Sequence, residues 1–141
     1  MCIRDRVTSV EMSDDGRQLL TSSKDNSHRL WDMRMLRPLQ RFKGHQNTSK
    51  NFIRCTFAHP SLIVSGSEDG LVYMWGQESS LALQTLKGHG TDSHPAAATV
   101  GGRKQVVVYS AAWNKVQGLL ASCADDGTVR LWDWTPPHDA P

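Results

Sequence analysis

No apolar run in this sequence approaches the roughly 18 residues that a bilayer-spanning helix needs, and the N-terminus lacks the apolar core of a secretory signal. No membrane partner is expected. Cysteine is scarce: Cys2, Cys55 and Cys123 make an odd number without CxxC spacing, which suits reduced thiols in a cytoplasmic or nuclear protein. In such a compartment the acceptor-like string Asn47-Thr48-Ser49 would not meet a glycosylating enzyme, and it reads as a chance match. Acidic residues are missing from Met33 to Ser67, where Arg34, Arg37, Arg41, Lys43, Lys50 and Arg54 all fall. A solvated loop face is the plain reading of that asymmetry, and a docking patch for an acidic partner is the alternative. The formal net charge of +2 is too small to imply direct nucleic-acid binding.

Catalytic signatures are absent as well. There is no GxSxG, HExxH, Walker loop or paired-carboxylate constellation, so neither an enzyme nor a cofactor is expected. His45 and His89 stand apart from any Cys, Asp or Glu at ligand spacing, which favours a hydrogen-bonded core over a metal site. His94 has a weaker case still.

What the chain does contain is a string that returns three times. Leu19 to Asp25 leads to Leu30-Trp31-Asp32, Ile63 to Asp69 leads to Met74-Trp75, and Leu120 to Asp126 leads to Leu131-Trp132-Asp133. The turn aspartate precedes its tryptophan by 6 positions each time (25 to 31, 69 to 75, 126 to 132). Fixed spacing at such a period marks stacked or radially arranged supersecondary units, and points function toward binding surfaces. With 38% hydrophobic and 21% charged residues, the composition is that of a soluble globular chain.

Turn chemistry cuts each unit into short extended runs, four to a unit, which predicts small antiparallel sheets. The first unit offers Val7 to Met12, Leu19 to Ser23, Ser27 to Trp31 and Pro38 to Lys43. In the second the runs are Phe52 to Phe57, Ser61 to Ser65, Leu71 to Trp75 and Ala82 to Leu86, and the third has Val106 to Trp113, Gly118 to Ser122 and Thr128 to Trp132 with no fourth. The boundaries are therefore 7–45, 46–89 and 106–134. Residues 90–105 read as an insertion, either a flexible lid or sequence retained from an unspliced transcript. Residues 135–141 read as a proline-rich tail. Met1 to Asp5 can be encoded by a library adapter and have no place in the repeat, so residues 1–6 read as a cloning or assembly scar.

A Gly-His, then a Ser-Gly-Ser-x-Asp-Gly turn, then Trp-Asp at this spacing resembles the WD-repeat family. The match runs from Val7 to Trp134. The resemblance implies an all-β fold, a partial β-propeller of three WD-repeat blades of four-stranded antiparallel sheet, the last blade incomplete. Val64 to Trp75 with Leu86-Lys87-Gly88-His89 is similar to two kinds of member: the scaffold of histone H3 lysine-4 methyltransferase complexes and the WD-repeat subunit of GID/CTLH ubiquitin ligases. Three repeats do not separate them.

The resemblance also implies a buried chain of hydrogen bonds in each blade, running from Trp through a hydroxyl and a His to the turn Asp. An indole N–H only donates, a hydroxyl and a neutral imidazole do both, and a carboxylate ends the chain as acceptor. Carried onto this sequence, the second blade has Trp75, Ser65, His45 and Asp69, and the third has Trp132, Ser122, His89 and Asp126, with the insertion placed directly after His89. The first has Trp31, Thr21 and Asp25, its histidine lying upstream. His28 takes the place of Val72 and Val129, facing a neighbouring blade. A blade-edge histidine that finds a partner is the plain expectation, a pH-sensitive contact the sharper one.

Function implied by the resemblance is a non-enzymatic interaction scaffold that binds other proteins or peptides through its loops. Arg29, Tyr73 and Arg130, at equivalent positions, are candidate rim anchors, with lateral packing between blades as the alternative. Leu19 to Arg34 is similar to the box by which some WD-repeat proteins dock the adaptor of cullin-4 ligases, Arg34 supplying the guanidinium, which makes a ubiquitin-ligase receptor the runner-up. A histone-peptide reader is the third reading. Three blades leave two open flanks, so remaining blades from further sequence or from oligomerisation are expected to be needed.

Overall fold

The computed structural model describes residues 5–59, 61–90 and 106–134. His94, residues 1–4 of the suspected scar, most of the 90–105 insertion and the 135–141 tail lie outside the described residues. Eleven strands form three separate antiparallel sheets. The first contains β1 (Val7–Met12), β2 (Gln18–Ser23), β3 (Ser27–Asp32) and β4 (Arg37–Phe42) in chain order. The second repeats this with β5 (Cys55–Phe57), β6 (Leu62–Ser65), β7 (Val72–Gly76) and β8 (Gln84–Leu86). The third holds β9 (Val108–Asn114), β10 (Leu119–Ala124) and β11 (Val129–Asp133), with no fourth strand among the described residues.

Register places the repeats on one another. Leu20 pairs with Leu30, Val64 with Met74, and Ala121 with Leu131, each linking a blade's second strand to its third. The tight turns between those strands need one residue in the left-handed region, supplied by Gly70 (φ 84°), Gly127 (φ 77°) and, in the first blade, Asn26 (φ 60°). Asn is among the few side chains that tolerate this conformation, so the first turn keeps its shape without glycine.

Four strands, β5, β6, β8 and β9, are shorter than the extended runs predict, β5 and β8 most of all. Phe52 and Arg54 precede β5 in a loop, and Phe52 is exposed. Ala82 and Leu83 precede β8, where Leu83 N–H donates to Met74 O (2.8 Å) but a turn closed by Ser79 N–H and Gly76 O (3.1 Å) takes up the chain just before.

The core lies between sheets. Leu20, Leu30 and Phe42 of the first blade pack on Cys55, Ile63 and Trp75 of the second. Val64, Val72 and Met74 of the second pack on Val108, Ala111 and Leu120 of the third. The first and second blades thus each bury one face of their third strand under the blade that follows. The second seam is especially close: a Cβ on Gly66 would stand 2.1 Å from Val108 O, so only glycine permits the approach.

Candidate functional site

In the third blade the hydrogen-bond chain is continuous. Trp132 Nε1–H donates to Ser122 Oγ (2.8 Å), and His89 Nε2 lies 2.8 Å from the same oxygen. Because the indole already donates to Ser122, the hydroxyl proton is free for His89 Nε2, which leaves Nδ1–H to face Asp126 Oδ2 (3.2 Å) and Thr128 Oγ1 (3.1 Å). Burial works against the Asp126 charge, but the Thr128 hydroxyl, the Gly90 and Thr128 amides and His89 hold its carboxyl well below the usual carboxylate range. The insertion that begins after His89 leaves the histidine in place.

The second blade does not bring its four implied residues together. Trp75 Nε1–H donates to Lys43 O (3.0 Å), and Ser65 Oγ turns to Arg54 O (3.2 Å) and Gly66 O (2.8 Å). Asp69 accepts the Tyr73 hydroxyl (2.6 Å) and the Leu71 amide (3.1 Å). His45 instead stacks on His28, rings 3.8 Å apart and 9° from parallel, and among the described residues neither ring nitrogen of either histidine has a hydrogen-bond partner. Two substitutions within the repeat account for this. Where the third blade has Thr128 to bridge Asp126 and His89, the second has Leu71, and where the first and third have arginine the second has Tyr73, which takes the carboxylate. His28 then offers His45 a flat surface from the first blade.

His28 thus faces the neighbouring blade, yet it does so without the hydrogen-bond partner expected of it. Burial drives its proton affinity well below the ordinary imidazole value, and the adjacent His45 adds to this. Burial likewise pushes His45 down to about 4, against the pull of Asp69, Asp25 and Glu68.

In the first blade Trp31 Nε1–H donates to Thr21 Oγ1 (2.9 Å). Asp25 accepts from Ser27 Oγ (2.5 Å) and from Arg29 Nη2 (2.7 Å), with Arg41 at 3.7 Å. Arg29 and Tyr73 therefore each clasp the turn aspartate of their own blade, four residues before them, and Tyr73 also packs against the core between the first and second blades. Arg130 packs beside Gly88. Arg34 is exposed in the turn between β3 and β4, where its amide donates to Asp32 Oδ1 (2.8 Å).

One open cavity of about 640 Å³ gathers residues from all three blades. The turn after β1 brings Asp14 and Asp15, the turn after β5 brings His59, and the third blade brings Trp113, Lys115 and Trp134. Trp113 and Trp134 meet edge to face at 6.0 Å, His59 lies 5.4 Å from Trp134, and Lys115 pairs with Asp14 across the opening. Sequence reasoning missed this cavity. Its residues lie outside the repeated string, and only the radial arrangement of the blades makes neighbours of residues about a hundred positions apart. Among the described residues no group of three or more His, Cys, Asp or Glu is placed to hold a metal ion.

Small antiparallel sheets packed face against face in chain order define a β-propeller segment. The sequence agrees: the WD domain, G-beta repeat, matches residues 3–32, 36–76 and 96–133, and the chain belongs to the WD40 repeat family. It is 34% identical over 137 residues to a WD repeat-containing protein WDS homolog of Arabidopsis thaliana, covering 94% of this chain and 23% of that protein. It is 30% identical over 132 residues to GID complex subunit 7 of Schizosaccharomyces pombe, covering 92% of this chain and 23% of the relative. The chain therefore spans under a quarter of the length of these curated relatives, as a fragment of a longer protein would. A crystal structure of the computationally designed Ika4 protein superposes with a TM-score of 0.64, over 91% of this chain and 66% of that one, at 22% identity. That likeness concerns the fold alone. WD40 repeat proteins generally mediate protein–protein interaction and generally act as non-enzymatic scaffolds.

Proposed function

We propose that this chain supplies blades to a non-enzymatic scaffold that holds several proteins in one complex, in the cytoplasm or nucleus. The observation that carries the reading is the cavity lined by residues of all three blades. Two tryptophans and a histidine give it an apolar wall with polar tips, the combination that anchors peptides and loops of partner proteins. Turns can vary without disturbing the sheets behind them, which is where a rigid fold carries its binding residues. To test it, the protein is tagged in its native cells and its complexes are isolated and weighed. Recovery of two or more proteins in one assembly, lost on Trp134→Ala, supports the reading; a solitary species under gentle isolation overturns it.

A ubiquitin-ligase subunit is the more specific reading, supported by the relative named as GID complex subunit 7. An exposed Arg34, its turn fixed by Asp32, supports the alternative of docking to a ligase adaptor. Ubiquitin-ligase subunits in the isolated assembly would support the first, and their loss on Arg34→Ala the second.

A further inference from the structure

The six cations of the acid-free stretch do not share one fate. Arg41 lies 3.7 Å from Asp25, and Arg34 and Arg37 stand on the outer turn and strand of the first blade. Lys50 and Arg54 are different: they line an open groove of about 560 Å³ between the loop that enters the second blade and strands β9 and β10 of the third. Both are exposed, neither is in an ion pair among the described residues, and no acidic residue lines the groove. Phe52 and Tyr109 supply its apolar surface, Phe52 being 64% exposed.

The loop is held from behind. Glu68 accepts from the Thr48 amide (3.2 Å), the Ser49 amide (3.1 Å) and the Ser49 hydroxyl (2.7 Å). Lys24 donates to Asn47 Oδ1 (3.0 Å) and to Asn51 O, and the fully buried Asn47 donates to Ser23 O (3.0 Å). Arg54 N–H donates to Tyr109 O (2.9 Å), which joins the loop to the third blade. The acid that lies nearest in sequence, Glu68, is thus turned inward to shape the loop, while the two cations face out. A loop fixed in advance loses little freedom when it binds, which favours affinity.

We propose that this groove binds an acidic peptide segment of a partner protein, with Lys50 and Arg54 meeting its carboxylates and Phe52 and Tyr109 packing on its apolar side chains. Two unneutralised cations on the loop wall, with the exposed Phe52 ring between them in sequence and the half-buried Tyr109 on the facing strand, complement a segment in which glutamate or aspartate alternates with apolar residues. The proposal deepens the scaffold reading by giving one partner a chemistry.

The test uses the full chain and fluorescence anisotropy of a labelled peptide of alternating glutamate and leucine, with its glutamine-for-glutamate counterpart. The glutamate peptide is expected to bind, more weakly as salt rises, and the counterpart to bind at least about tenfold more weakly. Lys50→Glu with Arg54→Glu should abolish the difference, Lys50→Gln alone should reduce it, and Arg37→Glu, the same charge change on the first blade's outer strand, should leave it intact. Equal binding of the two peptides overturns the proposal. So does an equal loss from Arg37→Glu, which would reveal a mere net-charge effect, or preferential binding of a single-stranded oligonucleotide. Peptide binding with no assembly recovered from cells would uphold the groove and defeat the scaffold; the reverse pattern would do the opposite.

Discussion

Ser122 and Ser65 occupy the same place in their repeats and have different consequences when lost. Ser122→Ala would strand the Trp132 N–H and a ring nitrogen of the buried His89, a cost of about 1–3 kcal/mol. Ser65→Ala removes only local bonds to backbone oxygens, so about 1 kcal/mol or less is expected. Urea denaturation of both variants checks this, and equal losses would contradict the asymmetry between the blades. The stacked histidines give a second prediction. Their neutral forms are favoured in the fold, so below the ordinary imidazole value of 6.5 the unfolded chain binds more protons than the folded one. Stability is thus full above pH 6.5 and falls as pH drops toward about 4, by on the order of 3 kcal/mol for His45 alone. His28→Val, which restores the apolar residue found at positions 72 and 129, should raise stability and flatten the curve between those limits. Thermal unfolding across that window measures it, and an unchanged slope in the variant would show that the pair is not its source.

Among the elements, the seam between the second and third blades rests on how closely two strands approach. Gly66→Ala would drive a Cβ into the Val108 carbonyl, backbone against backbone, where no side-chain rotation relieves the overlap. A loss of about 1–3 kcal/mol or more is expected, with faster hydrogen exchange at the Val108 amide, whose bond to Ser67 O (3.0 Å) crosses that seam. A variant as stable as the parent would mean that the blades part easily. The string around Gly66 also shows how far sequence carries. Strand existence, order and the turn positions were legible because Asp, Gly and Trp recur at one spacing, and local turn geometry follows local residues. The third blade's chain was carried over from the family resemblance that those recurring residues mark. The second blade's rearrangement was not legible, since it depends on Tyr73 competing for Asp69 and on His28 arriving from another sheet, neither of which spacing reveals. The cavity around Trp113 and Trp134 and the groove at Lys50 were hidden likewise, each being assembled across blades, although the acid-free stretch already flagged the cations of the groove.

For the molecule as a whole, equivalent positions meet opposite environments. Val72 and Met74 on β7 are 0% and 2% exposed because the third blade covers them; Val129 and Leu131, their counterparts on β11, are each 71% exposed. On the other flank Val10 and Met12 of β1 are exposed as well. Burying a side chain of this size contributes about 1.5–3 kcal/mol, so the chain gains substantially when something covers either end. Among the described residues β11 is also an edge strand, its outer backbone groups lying beside its two exposed apolar residues. One end of a chain covering the opposite end of another is a head-to-tail contact, which closes into rings or runs on as open assemblies. The isolated chain is therefore expected to self-associate with rising concentration, as sedimentation velocity would reveal. Val129→Lys with Leu131→Lys should shift it toward monomer while leaving its unfolding midpoint little changed, because those side chains already face solvent. A parent chain that stays monomeric and unfolds cooperatively at high concentration would refute this, and would mean that three blades suffice without a cover.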